Sequence, residues 1–212
     1  MINNSFPSKF REVIHKNLFF ILAFIIIQII GMYIVFSTDK YSLHLEINSF
    51  HSPTFDYFFK YATYLGDGMV FLVAVLIVLW KRKEMFTVFL LGSLMTLLTS
   101  FVLKNYICYN YPRPYEVFGD RLHLIVGEHM RHWHSFPSGH TMSAFAMFFL
   151  MIFISNKFYY KSIWLLLAIL AGISRIYLSQ HFFEDVIGGS LIGFVIAVFA
   201  YLLGTKYSIF KK

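Results

Sequence analysis

The sequence predicts an all-α integral membrane protein: a six-transmembrane-helix bundle with an interfacial helix in its first outward loop and a long outward loop between the third and fourth spans. Three observations predict it. Of 212 residues, 58% are hydrophobic, 20% aromatic and only 14% charged, with mean hydropathy +0.64; ordinary soluble domains carry about 25% charged residues. Apolar runs stand at 18–37, 68–80, 85–103, 141–156, 162–178 and 186–204, close to the roughly 20 residues a helix needs to cross a hydrocarbon core. The charges between those runs segregate by side.

With an even number of spans, one side collects Lys9, Arg11, Lys16, Lys81, Arg82, Lys83, Lys157, Lys161, Lys206, Lys211 and Lys212 against Glu12 and Glu84, a sum of +9, and the other side sums to −2. The positive-inside rule then places both termini in the cytoplasm. A net charge of +7 would raise nucleic acid as a partner of a soluble protein; topology accounts for it here, and none is expected. The first run lacks a small-x-small cleavage pattern and is read as an uncleaved anchor. The lone cysteine, Cys108, makes no disulfide within one chain. Six runs leave no length for a soluble domain, so 1–212 is expected to be a single membrane-embedded domain.

In the first outward loop, "SPTFDYFFKYA" places Pro53 early and repeats Phe55, Phe58, Phe59 and Ala62 at helical spacing, which predicts a short helix lying in the interface. The stretch 104–138 is the only long polar segment and is too aromatic for a disordered one. A short turn, "LSQHFFEDV", joins the last two spans.

Polar residues gather at the outward ends of the spans: Lys104, Arg113, Ser138, Gly139, His140, Ser174, Arg175, His181 and Asp185. Ionisable groups at such depth are costly, which makes them functional candidates. Lys104, Arg113 and Arg175 suit an anion with several oxygens, since guanidiniums grip phosphate bidentately and lysine adds a point charge. Ser138 and Gly139 open a helix, where free amides and the helix dipole also favour phosphate. Plain helix capping explains the same serine. His181 and Asp185 stand four apart, on one face if the turn is helical. A carboxylate bonded to one imidazole nitrogen leaves the other as a nucleophile, and His140 supplies a second imidazole as general acid.

The blocks "KNYICYNYPRP" (104–114), "PSGH" (137–140) and "SRIYLSQHFFED" (174–185) resemble the three-part signature of the type 2 phosphatidic acid phosphatase and vanadium haloperoxidase superfamily, in its bacterial membrane lipid phosphatase branch. The resemblance implies a metal-independent lipid phosphatase without cofactors. His181 would attack phosphorus and carry a phosphohistidine, oriented by Asp185. His140 would protonate the leaving alkoxide and then activate water. Lys104, Arg113, Ser138, Gly139 and Arg175 would hold the phosphate oxygens. One block departs from the family pattern: eight residues separate Lys104 from Arg113, where the family usually has six. Either the loop bulges to absorb them or another group replaces Lys104.

The implied substrate is a lipid phosphate at the outer membrane face: phosphatidylglycerol phosphate, phosphatidic acid, undecaprenyl pyrophosphate or a lipid A phosphate. Arg121, Arg131, His129, His132 and His134 offer charge for a second phosphate or for surrounding headgroups. Lipid-to-lipid phosphate transfer on the same scaffold is the nearest alternative. A metal enzyme built on Glu128, His129, His132 and His134, and an anion transporter, are the others. Oligomeric state is not readable.

Overall fold

The computed structural model describes residues 6–127 and 129–210. Glu128, Lys211 and Lys212, named above, lie outside the described residues. Every element among the described residues is helical: α1 (Phe6–Ser37), α2 (Lys40–Ser49), α3 (Pro53–Ala62), α4 (Gly68–Lys81), α5 (Phe86–Val102), α6 (Pro114–Phe118), α7 (Gly139–Ile154), α8 (Phe158–Tyr177) and α9 (Phe183–Lys206). The six apolar runs are α1, α4, α5, α7, α8 and α9.

Four segments are each long and apolar enough to cross a bilayer: Phe10–Ser37, Lys83–Ile107, Phe158–Tyr177 and Phe183–Lys206. The helix expected over 53–62 forms, with Ser52 capping its first turn and Pro53 at its start. It runs through a 3₁₀ turn at Thr63–Gly66 into α4, and the two meet the same test only as a pair bent by 53°. α7 has 16 residues, shorter than a typical span, and packs against α5, α8 and α9 in the middle of the bundle. Twelve of those residues are buried, so α7 reads as apolar all round because it has no lipid face.

α9 comes close enough to α7 for the backbones to touch. A Cβ at Gly189 would stand 2.6 Å from the Ser138 carbonyl oxygen, so only glycine fits there. α1 is peripheral: Ile26, Ile29, Tyr33 and Phe36 are exposed, while Gln28 Nε2 reaches inward to donate to Ser190 Oγ at 2.7 Å.

The ends of the bundle differ in charge. At one end the α4–α5 turn meets the close of α7 through Arg82 Nη1 to the Ile154 carbonyl at 3.2 Å. It meets the tail after α9 through Ser208 Oγ to the Glu84 carbonyl at 3.3 Å. Lys81, Lys83, Lys157, Lys161 and Lys206 stand at this end. The opposite end carries the turn between α8 and α9 and the start of α7.

α2 was not expected, since its sequence, "KYSLHLEINS", averages neither apolar nor amphipathic. It is held by polar contacts instead. His44 Nε2 lies 3.2 Å from Ser179 Oγ, and Asn48 Nδ2 donates to Ser179 Oγ at 3.1 Å and to the His123 carbonyl at 3.0 Å. The His44 ring stacks on Phe118 and meets Phe182 edge-on, so α2 clamps the turn that carries His181.

Burial pushes the His44 imidazole down to about 4. The unfolded chain takes up that proton near pH 6.5 and the folded chain resists it until about 4, so the stabilisation is complete above 6.5 and lost as pH falls through this window. The contribution is on the order of 3 kcal/mol. Thermal unfolding in detergent should therefore move to lower temperature between pH 6.5 and 4, and His44→Gln should flatten that acid dependence.

Candidate active site

α7 begins at Ser138, whose side chain accepts from the Thr141 amide at 3.4 Å and meets the Thr141 hydroxyl at 2.8 Å. The Ser138 N–H donates to the Asp185 carbonyl at 3.0 Å, which ties the start of α7 to the first turn of α9. Ser138 is fully buried and does not line the cavity described below, so its amide is not a phosphate donor in this arrangement. Gly139 and His140 do line it, and their first-turn amides have no partner within the helix.

α8 ends in a tight reversal. The Arg175 carbonyl accepts from both Gln180 N (3.0 Å) and His181 N (3.2 Å), with Ser179 at φ 52° making the turn. His181 therefore precedes α9 and does not share a helical face with Asp185, as the spacing of four suggested. Asp185 sits at the third position of α9, and its Oδ2 accepts the Phe182 amide at 2.9 Å, the geometry of a capping carboxylate. That oxygen also stands 3.4 Å from His181 Nδ1, with both side chains buried. Nδ1 is thereby engaged, and Nε2 is the nitrogen left for the cavity.

Ser135 completes this corner, although no spacing in the sequence points to it. Its hydroxyl donates to Asp185 Oδ2 at 2.5 Å and lies 3.5 Å from His181 Nδ1. Ser135→Ala should lower turnover roughly tenfold with KM nearly unchanged, because the serine touches the pair that orients the imidazole and does not line the cavity. Steady-state kinetics on a purified variant measure this.

A cavity of about 250 Å³ brings Lys104, Arg113, Gly139, His140, Arg175 and His181 together. Thr63, Tyr64, Asp67, His129, Arg131 and Gln180 also line it. Ser174 turns its hydroxyl to the Ala171 carbonyl and stays outside. Arg175 Nη1 donates to Thr63 Oγ1 at 2.6 Å.

Arg113 is held more firmly than the sequence suggested. Nε donates to the Trp133 carbonyl (3.0 Å), Nη1 to the Gln180 carbonyl (2.9 Å) and Oε1 (3.2 Å), and Nη2 to the His134 carbonyl (3.4 Å). Of five guanidinium protons one remains for a ligand. Arg113 thus offers its charge and a single donor, not the bidentate grip expected. Burial pushes it down to about 10, still protonated at neutral pH.

Lys104 reaches the site despite the long first block. Leu103–Ile107 form a π turn, closed by Cys108 N to the Leu103 carbonyl at 2.6 Å, and bends at 108–112 carry the chain on to Arg113. The chain bulges here, and Lys104 lines the cavity together with Arg113 and Arg131. A Cβ on Gly139 would stand 3.6 Å from Lys104 Nζ, so the ammonium lies against the start of α7.

Burial first, then the charges of Arg113, Lys104 and Arg175, hold the His181 imidazole well below its ordinary range. It is neutral at pH 7, with a lone pair on a nitrogen facing a cationic cavity. His132 Nδ1 bonds Glu116 Oε2 and His134 Nδ1 meets the Lys104 carbonyl. Among the described residues no three His, Cys, Asp or Glu side chains are grouped to hold a metal ion.

The model of the PAP2 superfamily matches residues 85–208, which include all three blocks. The chain belongs to the PAP2 superfamily. Among PAP2 structures it resembles LpxE of Aquifex aeolicus, with TM-score 0.67 and 32% identity over 76% of this chain and 93% of that one. It also shares its fold with a PAP2 type phosphatidylglycerolphosphate phosphatase of Bacillus subtilis, at TM-score 0.66 and 23% identity over 90% and 98%.

A lipid A 4'-phosphatase of Porphyromonas gingivalis is 28% identical over 76% of this chain and 70% of its own length. A dihydrosphingosine 1-phosphate phosphatase of Schizosaccharomyces pombe is 29% identical over 71% of this chain. The match spans only 38% of the length of that yeast protein.

Proposed function

We propose that this protein is a membrane lipid-phosphate phosphatase that works through a phosphohistidine on His181. The observation that carries this reading is one buried, neutral imidazole with Nδ1 beside Asp185, in a cavity shared with His140 and the cations Lys104, Arg113, Arg131 and Arg175. His181 Nε2 attacks phosphorus, the bond to the lipid oxygen breaks, and His140 gives that oxygen a proton. His140 then takes a proton from water, whose oxygen displaces His181 and releases inorganic phosphate. Lys104, Arg113, Arg175 and the amides of Gly139 and His140 neutralise the charge that builds on the phosphoryl oxygens. Ser138 supports this set from below by fixing the start of α7 to α9.

The cavity lies at the end of the bundle opposite the basic one. Under the positive-inside rule it faces outward in a six-span arrangement, at the level of lipid headgroups. A second cavity of about 540 Å³ shares Lys104, Arg113, His129 and Arg131 with the first. It suits a headgroup with a second phosphate, as in a lipid diphosphate or a bis-phosphorylated saccharolipid. Arg121 is not part of it, being placed over the Phe118 ring at 5.2 Å. Arg131→Ala should lower kcat/KM about tenfold for a lipid with two phosphates and leave that for a monophosphate within about twofold.

The test of this function is inorganic phosphate release by the detergent-solubilised protein. The panel is phosphatidylglycerol phosphate, phosphatidic acid, undecaprenyl pyrophosphate and lipid A, each with a chelator present. Release from at least one class is expected. None from any, with phosphate appearing instead on an added acceptor lipid, would replace hydrolysis by transfer.

A further inference from the structure

The basic end of the bundle holds a cation that topology alone does not explain. Lys161, in the first turn of α8, is only 8% exposed, whereas an interfacial anchor keeps its ammonium in water. Its Nζ donates to Asn17 Oδ1 at 2.6 Å and to the Lys16 carbonyl at 3.0 Å, both neutral, leaving one of three protons without an acceptor among the described residues. Among the described residues no carboxylate stands against it, and the Phe20 ring lies 5.9 Å from Nζ. A buried charge with only neutral partners is costly, and an anion would offset that cost.

Space for one exists. A cleft of about 260 Å³ between α1 and α8 is lined by His15, Lys16, Asn156 and Lys161 and contains no acidic residue. Glu12, one turn before Lys16, is ion-paired with it at 2.6 Å among exposed side chains. Phe19, Phe20 and Phe158 form the apolar wall, with ring centroids 5.0–5.2 Å apart. Leu18, Leu22, Ile163 and Leu166 continue an exposed apolar surface along both helices.

We propose that this cleft holds the phosphate of an anionic membrane lipid, its acyl chains lying along α1 and α8. The phosphate sits between Lys161 and Lys16, and the lipid staples the peripheral α1 to the bundle. The site is at the far end from His181 and does not rest on the phosphatase reading. A free phosphate would satisfy the same cations, but the apolar surface running on from the cleft favours a lipid.

The test is native mass spectrometry and thermal unfolding of the full chain in a neutral detergent, with phosphatidylglycerol, phosphatidylcholine or inorganic phosphate added. Arg113→Ala serves to weaken binding in the catalytic cavity. One retained phosphatidylglycerol is expected in the wild type and in Arg113→Ala. Its retention should fall about tenfold in Lys161→Met and in Lys16→Glu, the latter at an exposed side chain that folding tolerates. Equal retention of phosphatidylcholine, or undiminished phosphatidylglycerol in both lysine variants, would overturn the proposal. So would a Lys161-dependent stabilisation by inorganic phosphate without any by the lipid, which would make the cleft a site for the free ion.

Discussion

Replacing His181 with alanine should reduce inorganic phosphate release by about 10⁴-fold or more, because it is the cavity imidazole whose Nδ1 faces a carboxylate, beside Lys104, Arg113, Arg131 and Arg175. His140 shares the cavity, but among the described residues its ring makes no ion pair with a carboxylate. The substitution opens space without removing Lys104, Arg113 or Arg175, so affinity for the substrate should survive. An unfolding temperature close to wild type will show that the loss is chemical. Turnover within about tenfold of wild type would end the assignment of His181 as nucleophile.

Asp185→Asn is the second large effect. One oxygen, Oδ2, accepts the Phe182 amide and the Ser135 hydroxyl and also faces His181 Nδ1, so asparagine must place either its oxygen or its nitrogen there. With the nitrogen there a donor faces Nδ1 and the α9 cap is lost; with the oxygen there the cap survives but the negative charge beside Nδ1 is gone. Either placement removes the carboxylate that holds the imidazole proton on Nδ1, so the tautomer with its proton on Nε2 and no lone pair toward phosphorus gains population. A related tautomer reversal in the serine protease triad costs about 10⁴-fold, and turnover here should drop by about a thousandfold or more. Asp185 does not line the cavity, so KM should change little. A large rise in KM with turnover preserved would instead mean that Asp185 acts on substrate binding.

The parts of the fold legible in the sequence were those written in apolar periodicity. α1, α4, α5, α7, α8 and α9 all announce themselves by long apolar runs, and α3 by a proline start with aromatic residues at helical spacing. α2 did not, because its place is set by buried polar contacts from His44 and Asn48 to Ser179, more than 100 residues away in the chain. No local pattern encodes such a partner.

The candidate site was legible through residue types and spacing, and its geometry was not. His181 and Asp185 meet through a helix cap and not along a helix face. Ser135 sits three residues before Ser138, just outside the second block, and its partner Asp185 is 50 residues on. Arg113 looked like a free fork, but the carbonyls that occupy it belong to Trp133, His134 and Gln180, which only the folded loop brings near. The long first block reaches Arg113 through a π turn at Leu103–Ile107, a local change of helical pitch that composition does not foretell.

The most direct test of the phosphohistidine is to quench the wild-type protein with alkali during turnover of a lipid phosphate and locate the phosphoryl group by peptide mass mapping. Phosphohistidine survives base and is lost in acid. A phosphoryl group on the peptide containing His181, labile to acid and absent in His181→Ala, is the predicted result. A phosphoryl group on the peptide containing His140, or turnover with no phosphoprotein detected, would contradict the assignment of His181 as the residue that carries the phosphate.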